Sequence, residues 1–145
     1  MPHKILALKD RPEYALALKD LIEPHGYQVL PVHTIEEAYE TLHREAVNMI
    51  IIAVHLQDGN VFDFIRTVRA DPNPDIKKLP LICLNLNPRL RARYLNESLA
   101  ISAKALGADR FITMQSYDAE SLWKQIEQML PAENRIDGTM TFEKK

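Results

Sequence analysis

Glycine is scarce in this chain. There are four in 145 residues and they do not cluster, so the glycine-rich loop that cradles a phosphate is absent. Cysteine is scarcer still. The single Cys83 sits in an apolar run, Leu81-Ile-Cys-Leu84, and reads as a buried small hydrophobe in a reducing compartment rather than a nucleophile. An excess of one charge is also missing. Eighteen basic against twenty acidic residues leave a formal charge of −2, which gives no global field for nucleic acid or anionic lipid. The longest apolar runs, such as Met49 to Val54, fall far short of the roughly 20 residues that span a bilayer. Met1-Pro-His-Lys4 lacks the apolar stretch of a signal peptide and runs straight into a strand. No second histidine stands at metal-ligand spacing from His55. These absences leave a soluble, cytoplasmic, single-domain protein as the expectation. Its 46% of apolar residues suffice for a normal core.

What is present is an alternation of short apolar runs with longer helical patterns, the signature of βαβ units and a parallel sheet. Ile5–Leu8 reads as the first strand. Pro12 then opens a helix to about Glu23, with Tyr14, Leu18, Leu21 and Ile22 on one face. Tyr27–Val32 is the second strand, and Thr34-Ile-Glu-Glu37 is a capping box that starts a helix over Ile35–Arg44. The Met49 run is the third strand and Val61–Ala70 the third helix. The prolines of Asp71-Pro-Asn-Pro-Asp75 mark a loop. Leu81–Leu86 is the fourth strand, Asn87-Pro88 starts a long helix that ends before Gly107, and Phe111–Met114 is a short fifth strand. Asp118 caps a last helix with Leu122, Ile126, Met129 and Leu130 inward, stopped by Pro131. The pentapeptide Leu-Ala-Leu-Lys-Asp occurs at 6–10 and again at 16–20, but no longer period supports a repeat.

Four segments carry a family resemblance. They are Lys4-Ile-Leu-Ala-Leu-Lys-Asp10 with Arg-Pro-Glu13, the ungapped stretch Asn48–Arg69, Leu79-Pro-Leu-Ile-Cys-Leu-Asn85, and Gly107-Ala-Asp-Arg-Phe-Ile-Thr-Met114. In this order, over about Lys4 to Leu130, the chain resembles a response-regulator receiver domain of two-component signalling. The resemblance implies a CheY-like, flavodoxin-like (βα)5 fold: a doubly wound, parallel, five-stranded sheet. It also implies a receiver-like domain over 1–130 followed by a polar tail or linker over 131–145.

The resemblance also implies a phosphorylation pocket, and there the residues depart from the family. The acidic pair that would hold Mg²⁺ is Lys9 and Asp10, although a hard dication wants several oxygen ligands. The phosphoacceptor aspartate is replaced by Ala53, whose methyl group accepts no phosphoryl. Asn85 stands for the hydroxyl residue, and Met114, or Gln115 with a one-residue slip, for the lysine. The expectation is therefore a degenerate pseudo-receiver with a vestigial pocket of Lys9, Asp10, Ala53, Asn85 and Met114, no catalytic residues, no metal and no cofactor. Asp58, five residues past Ala53, reads as a turn residue or helix cap. His55 reads as an ordinary loop polar residue. Lys9 and Asp10 can form a local ion pair, or Lys9 can contact a neighbouring strand end and supply the positive charge that a metal supplies in the family. Asn85 can bond the loop after the third strand, or it can mark neutral drift of an abandoned pocket.

The family's readout surface is its fourth helix, fifth strand and fifth helix. Phe111 falls at the switch-aromatic position and is either locked in one rotamer or plain core. Twenty-one residues separate Asn85 from Gly107, about two helical turns more than a typical receiver has there. On a helical wheel Ala92, Leu95, Leu99, Ala103 and Leu106 form a stripe toward the sheet. Leu90, Tyr94 and Ile101 form a second stripe, with Arg89, Arg93 and Lys104 between the two. A second apolar stripe asks for a second surface, either a protein partner or another copy of the chain. The alternative is that the first turn is loop. So few basic residues without interleaved aromatics do not make a nucleic-acid footprint. Trp123 lies on the less buried side of the last helix, near the tail, and Asp137-Gly138 permits a small hairpin.

Three functional readings follow. The chain is a phosphorylation-independent, non-enzymatic interaction module of a two-component or phosphorelay pathway, a small-molecule sensor that uses the vacated pocket, or a receiver with a noncanonical acceptor. The empty pocket favours the first, because function is argued from the site rather than the fold.

Overall fold

A strand buried on both faces must be apolar at nearly every position, and this dictates the sheet. The computed structural model describes residues 3–9, 12–53, 60–86, 100–114 and 118–130. Among them β1 (His3–Lys9), β2 (Tyr27–Val32), β3 (Met49–Ala53), β4 (Leu81–Leu86) and β5 (Arg110–Met114) form one sheet in the order β2-β1-β3-β4-β5. Every neighbouring pair is parallel. The central strand β3 is fully covered from Met49 to Ile52.

Helices cover both faces. On one lie α2 (Ile35–Arg44), α3 (Asn60–Arg69), the short α4 (Pro74–Lys77) and α5 (100–106). Their Ala38, Leu42, Val61, Phe64, Ile65, Val68, Ile76 and Ala103 pack on Leu6, Leu8, Ile50, Ile52, Leu81 and Cys83. On the other lie α1 (Pro12–Ile22) and α6 (Ala119–Met129), whose Leu18, Ile22, Leu122 and Ile126 pack on Ile5, Ala7, Met49, Ile51, Ile82 and Leu84. The alternation along each strand thus assigns successive side chains to opposite cores. Among the described residues no helix is long and apolar enough to cross a membrane.

Local chemistry sets the helix ends. The Thr34 hydroxyl accepts the Glu37 N–H at 3.0 Å, and the Glu37 carboxylate reaches back to the His33 N–H at 2.9 Å. Asp118 accepts the Ser121 N–H at 3.1 Å and starts α6. Two expectations change. The first helix stops at Ile22, and Glu23–His25 tighten into a 3-10 turn closed by Gly26 at φ 94°. The segment expected as plain loop contains α4. Asn73 caps it by accepting the Asp75 N–H at 2.9 Å, and Pro74 takes the first helical position, where its missing N–H costs nothing. The helix expected fourth is therefore α5. Its described part begins at residue 100.

Two polar nodes fix the connections. The Arg69 guanidinium, at the end of α3, donates to the carbonyls of Lys77 (2.7 Å), Leu79 (2.8 Å) and Gly107 (2.9 Å) and to the Asp109 carboxylate (3.0 Å). The same Asp109 oxygen accepts the Leu81 N–H at 2.8 Å, so one side chain joins α3 to the starts of β4 and β5. Gly107 has φ +125°, and a Cβ there would meet Arg69 Cγ at 2.5 Å. At the second node the Asp71 carboxylate accepts the Tyr39 hydroxyl at 2.6 Å and the Asn73 N–H at 2.8 Å. His43 Nε2 lies 3.1 Å from the same carboxylate. These contacts, the Tyr39 hydroxyl first, hold the Asp71 carboxyl below the usual range, and Asp71 in turn pushes the Tyr39 phenol up.

Gly107→Ala is expected to destabilise the fold by about 1–3 kcal/mol through its backbone angle and the Arg69 contact together. In an Arg69→Ala background the contact term disappears, so the glycine substitution should cost less there. A double-mutant cycle by urea denaturation measures the difference, and strict additivity would refute the contact.

Asp71 has a depressed folded value, so its contribution is complete above the unfolded carboxylate range and is lost as pH falls below about 4. Asp71→Asn should therefore melt lower at pH 7 and show a shallower decline between pH 5 and 2.5. Residual acid sensitivity is expected from Glu45, which Lys4 holds low in the same way from 2.5 Å. An unchanged acid limb in Asp71→Asn would count against the node.

Candidate functional site at the carboxyl edge of the sheet

Chemistry in a sheet covered on both faces is confined to the strand ends, and in parallel sheets to the carboxyl ends. Lys9 ends β1 and pairs in register with Ala53, the end of β3. Lys9 is only 3% exposed. Because Leu8 pairs with Val32, the residues that follow them, Lys9 and His33, are neighbours at the edge. The Lys9 ammonium lies 2.9 Å from His33 Nδ1 and 3.3 Å from Nε2. With both ring nitrogens this near, the ammonium lies over the imidazole face rather than on the in-plane lone-pair axis of either nitrogen. His33 in turn is placed by the Thr34–Glu37 cap of α2.

The remaining positions follow the strand alternation. Asn85 lies opposite Thr113, both half-buried and neither without a partner. Met114 lies opposite Leu86 and is buried in the core beneath α1 and α6, so its thioether acts as packing. Phe111, opposite Cys83, packs partly buried against the other core. Cys83 is fully buried, and burial pushes its thiol up to about 12, which leaves it inert as a nucleophile. Asp10, His55 and Asp58 lie outside the described residues, as do Leu90, Tyr94, Arg89 and Arg93. Ile101 of α5 is 63% exposed, while Ala103 two positions on is fully buried.

Sequence reasoning missed His33. Its signal was available: a histidine directly after the second strand and directly before a capping threonine, level with Lys9 once β1 and β2 are neighbours. Trp123, expected on the less buried side of α6 near the tail, is partly buried, and the tail lies outside the described residues. The structure stacks its indole on the His25 ring, centroids 3.8 Å apart and 8° from parallel, with Tyr27 at 6.2 Å. Its described neighbours are thus the turn before β2 and the first residue of that strand.

The strand order and parallel register define a doubly wound, flavodoxin-like sheet of the CheY type. The solved structures that it resembles are receiver domains. One is the signal receiver domain of a signal transduction histidine kinase from Syntrophus aciditrophicus, 25% identical, with a TM-score of 0.71 over 94% of this chain and 96% of that one. Another is the chemotaxis response regulator CheY4 of Vibrio cholerae, 21% identical, with a TM-score of 0.70 over 90% of this chain and all of that one. A third is the receiver domain of a sensor histidine kinase from Pseudomonas aeruginosa, solved with a magnesium ion in its active-site cleft. It is 18% identical, with a TM-score of 0.66 over 89% of this chain and 98% of that one. No protein-family model and no curated protein matches the sequence.

The residues described at this edge do not fit a magnesium ion. A hard dication needs oxygen ligands, whereas β1 ends in a buried ammonium 2.9 Å from an imidazole. Among the described residues no group of three or more His, Cys, Asp or Glu could hold a metal ion.

The Lys9–His33 contact yields a prediction. His33→Ala removes the ring that lies against a buried ammonium and should cost about 1–3 kcal/mol, while His33→Gln, which offers a carbonyl oxygen there, should cost less. Lys9→Met/His33→Ala should recover part of the loss, because no charge is then stranded. Equal unfolding midpoints for all three variants in guanidinium would show that the contact contributes nothing.

Proposed function

We propose that this chain is a receiver-like signalling module of a two-component or phosphorelay-type pathway that works without phosphorylation and has no enzymatic activity of its own. The observation that supports the reading most strongly is the buried Lys9 beside Ala53 at the carboxyl edge. A receiver acts there with a dication and an acceptor carboxylate. Here a fixed cation and a methyl group stand in those places. Lys9 then supplies from within the positive charge that a metal supplies in the family, and its contact with His33 holds one arrangement of the β1 and β2 ends.

Such a module acts by presenting a surface to a protein partner or to a second copy of itself. The surface proposed is the α5–β5–α6 face, with Leu90, Tyr94, Ile101, Arg89 and Arg93 as its contact residues. Ile101, the one of these among the described residues, is exposed. The domain is assigned to 1–130 and the tail to 131–145, in the cytoplasm.

Intact-mass analysis after incubation with Mg²⁺ and acetyl phosphate should find no phosphoryl adduct. An adduct on any residue would overturn the reading and restore a noncanonical acceptor. In parallel, Lys9→Asp/Ala53→Asp should gain a melting midpoint that rises with Mg²⁺, while the wild-type midpoint stays flat.

A further inference from the structure

A parallel sheet covered on both faces still has two lateral edges, and an edge strand offers its backbone to another chain. In the order β2-β1-β3-β4-β5 these edges are β2 and β5. The two differ. The Glu23 carboxylate accepts the Val29 N–H at 3.2 Å, so this donor of β2 points away from β1 and is already taken. Pro31, two positions on and therefore on the same side, has no N–H to give. Strand addition at β2 is blocked twice.

β5 carries neither device. Its sequence, Arg-Phe-Ile-Thr-Met, has no proline, and Arg110 to Thr113 are each half-buried, in contrast to the alternating burial of β2. A groove of about 460 Å³ follows this edge between Lys104 of α5 and Gln125 of α6, with Arg110 to Thr113 as its floor. We propose that β5 takes up an extended, acidic segment of a partner protein as a sixth strand, with Lys104 and Arg110 pairing to its carboxylates. This rests on the reading above that the α5–β5–α6 face is the contact surface, and it names the kind of partner.

Charge selects that occupant. The groove wall carries two cations, Lys104 and Arg110, and one acid, Asp109. Asp109 is already engaged by the Arg69 guanidinium at 3.0 Å and the Leu81 N–H at 2.8 Å. Arg110 donates to the neutral amide oxygen of Gln125, which orients the guanidinium toward α6 and leaves its charge in place. The two cations thus stand on opposite flanks. Successive side chains of a strand point to opposite faces, so a segment with acids at adjacent positions reaches both. Phe111 packs toward the α5 side and Ile112 toward the α6 side, and both keep part of their apolar surface exposed for the segment's other side chains. Main-chain pairing then supplies affinity and the flanks supply specificity. A second copy of this chain fits less well, because it brings the same two cations to both sides of the junction.

The test titrates the nitrogen-15-labelled full chain with a short peptide of alternating glutamate pairs and valine pairs. A second peptide has lysine for glutamate. Two further forms of the first are N-methylated at odd or at even backbone nitrogens. Saturable binding of the glutamate peptide is expected, with amide shifts centred on β5. It should weaken about tenfold in Lys104→Glu, an exposed position where the fold is not at stake, and the lysine peptide should not bind. A strand turns only alternate nitrogens toward its neighbour, so one methylated form should bind and the other fail. The proposal is overturned by the absence of saturable binding, by equal affinity in Lys104→Glu, by equal affinity of both methylated forms, or by shifts centred on β2. A dimer of the chain through β5 that excludes the peptide overturns it as well. Without a phosphoryl adduct, failure here refutes strand addition alone. An adduct refutes the reading beneath it, whatever the peptide does.

Discussion

The organisation of this molecule rests on one constraint: a parallel sheet packed on both faces has no face left for chemistry. Every side chain of β3 from Met49 to Ile52 is committed to a core. Helices on either side exclude solvent from the rest, which leaves the strand ends as the only place where a polar group can meet a ligand. The same constraint explains why the polar nodes lie at connections. Arg69 ties α3 to the β4 and β5 starts, and Asp71 ties α2 to the segment that becomes α4. Backbone that leaves a sheet must have its carbonyls and N–H groups satisfied somewhere. In this chain a five-donor guanidinium and a well-bonded carboxylate do much of that.

The fold was readable because its signals are local and agree with one another. Buried parallel strands appear as continuous apolar runs, and the Thr34 and Asp118 caps sit where the helices begin. The α4 turn was not readable from its prolines, since Pro74 signals a loop and a first helical position equally well; the Asn73 cap decides. Arg69 was also opaque. Its partners Lys77, Leu79, Gly107 and Asp109 lie eight to forty positions further along the sequence, and three of the contacts go to backbone carbonyls that carry no residue signature.

The candidate site was half legible, for the same reason. Departures from a family pattern can be read position by position once a resemblance is in place, as at Ala53, Asn85 and Met114. Gains cannot. His33 lies in none of the four segments that carry the resemblance, and its place emerges only when β1 and β2 lie side by side and bring Lys9 within 2.9 Å of it. Alternation likewise decides Met114. Once β5 is in register with β4, its side chain faces the α1–α6 core and becomes a packing residue.

These gains bear on whether the edge was abandoned or rebuilt. A pocket that drifts after losing its acceptor is under no pressure to keep a charge, and a buried ion or ammonium–imidazole pair is often no more stable than apolar residues of the same size. Drift alone therefore favours a leucine or methionine at the end of β1. The chain instead carries a lysine whose ammonium is nearly sealed from water, and a histidine set to receive it by the cap of α2.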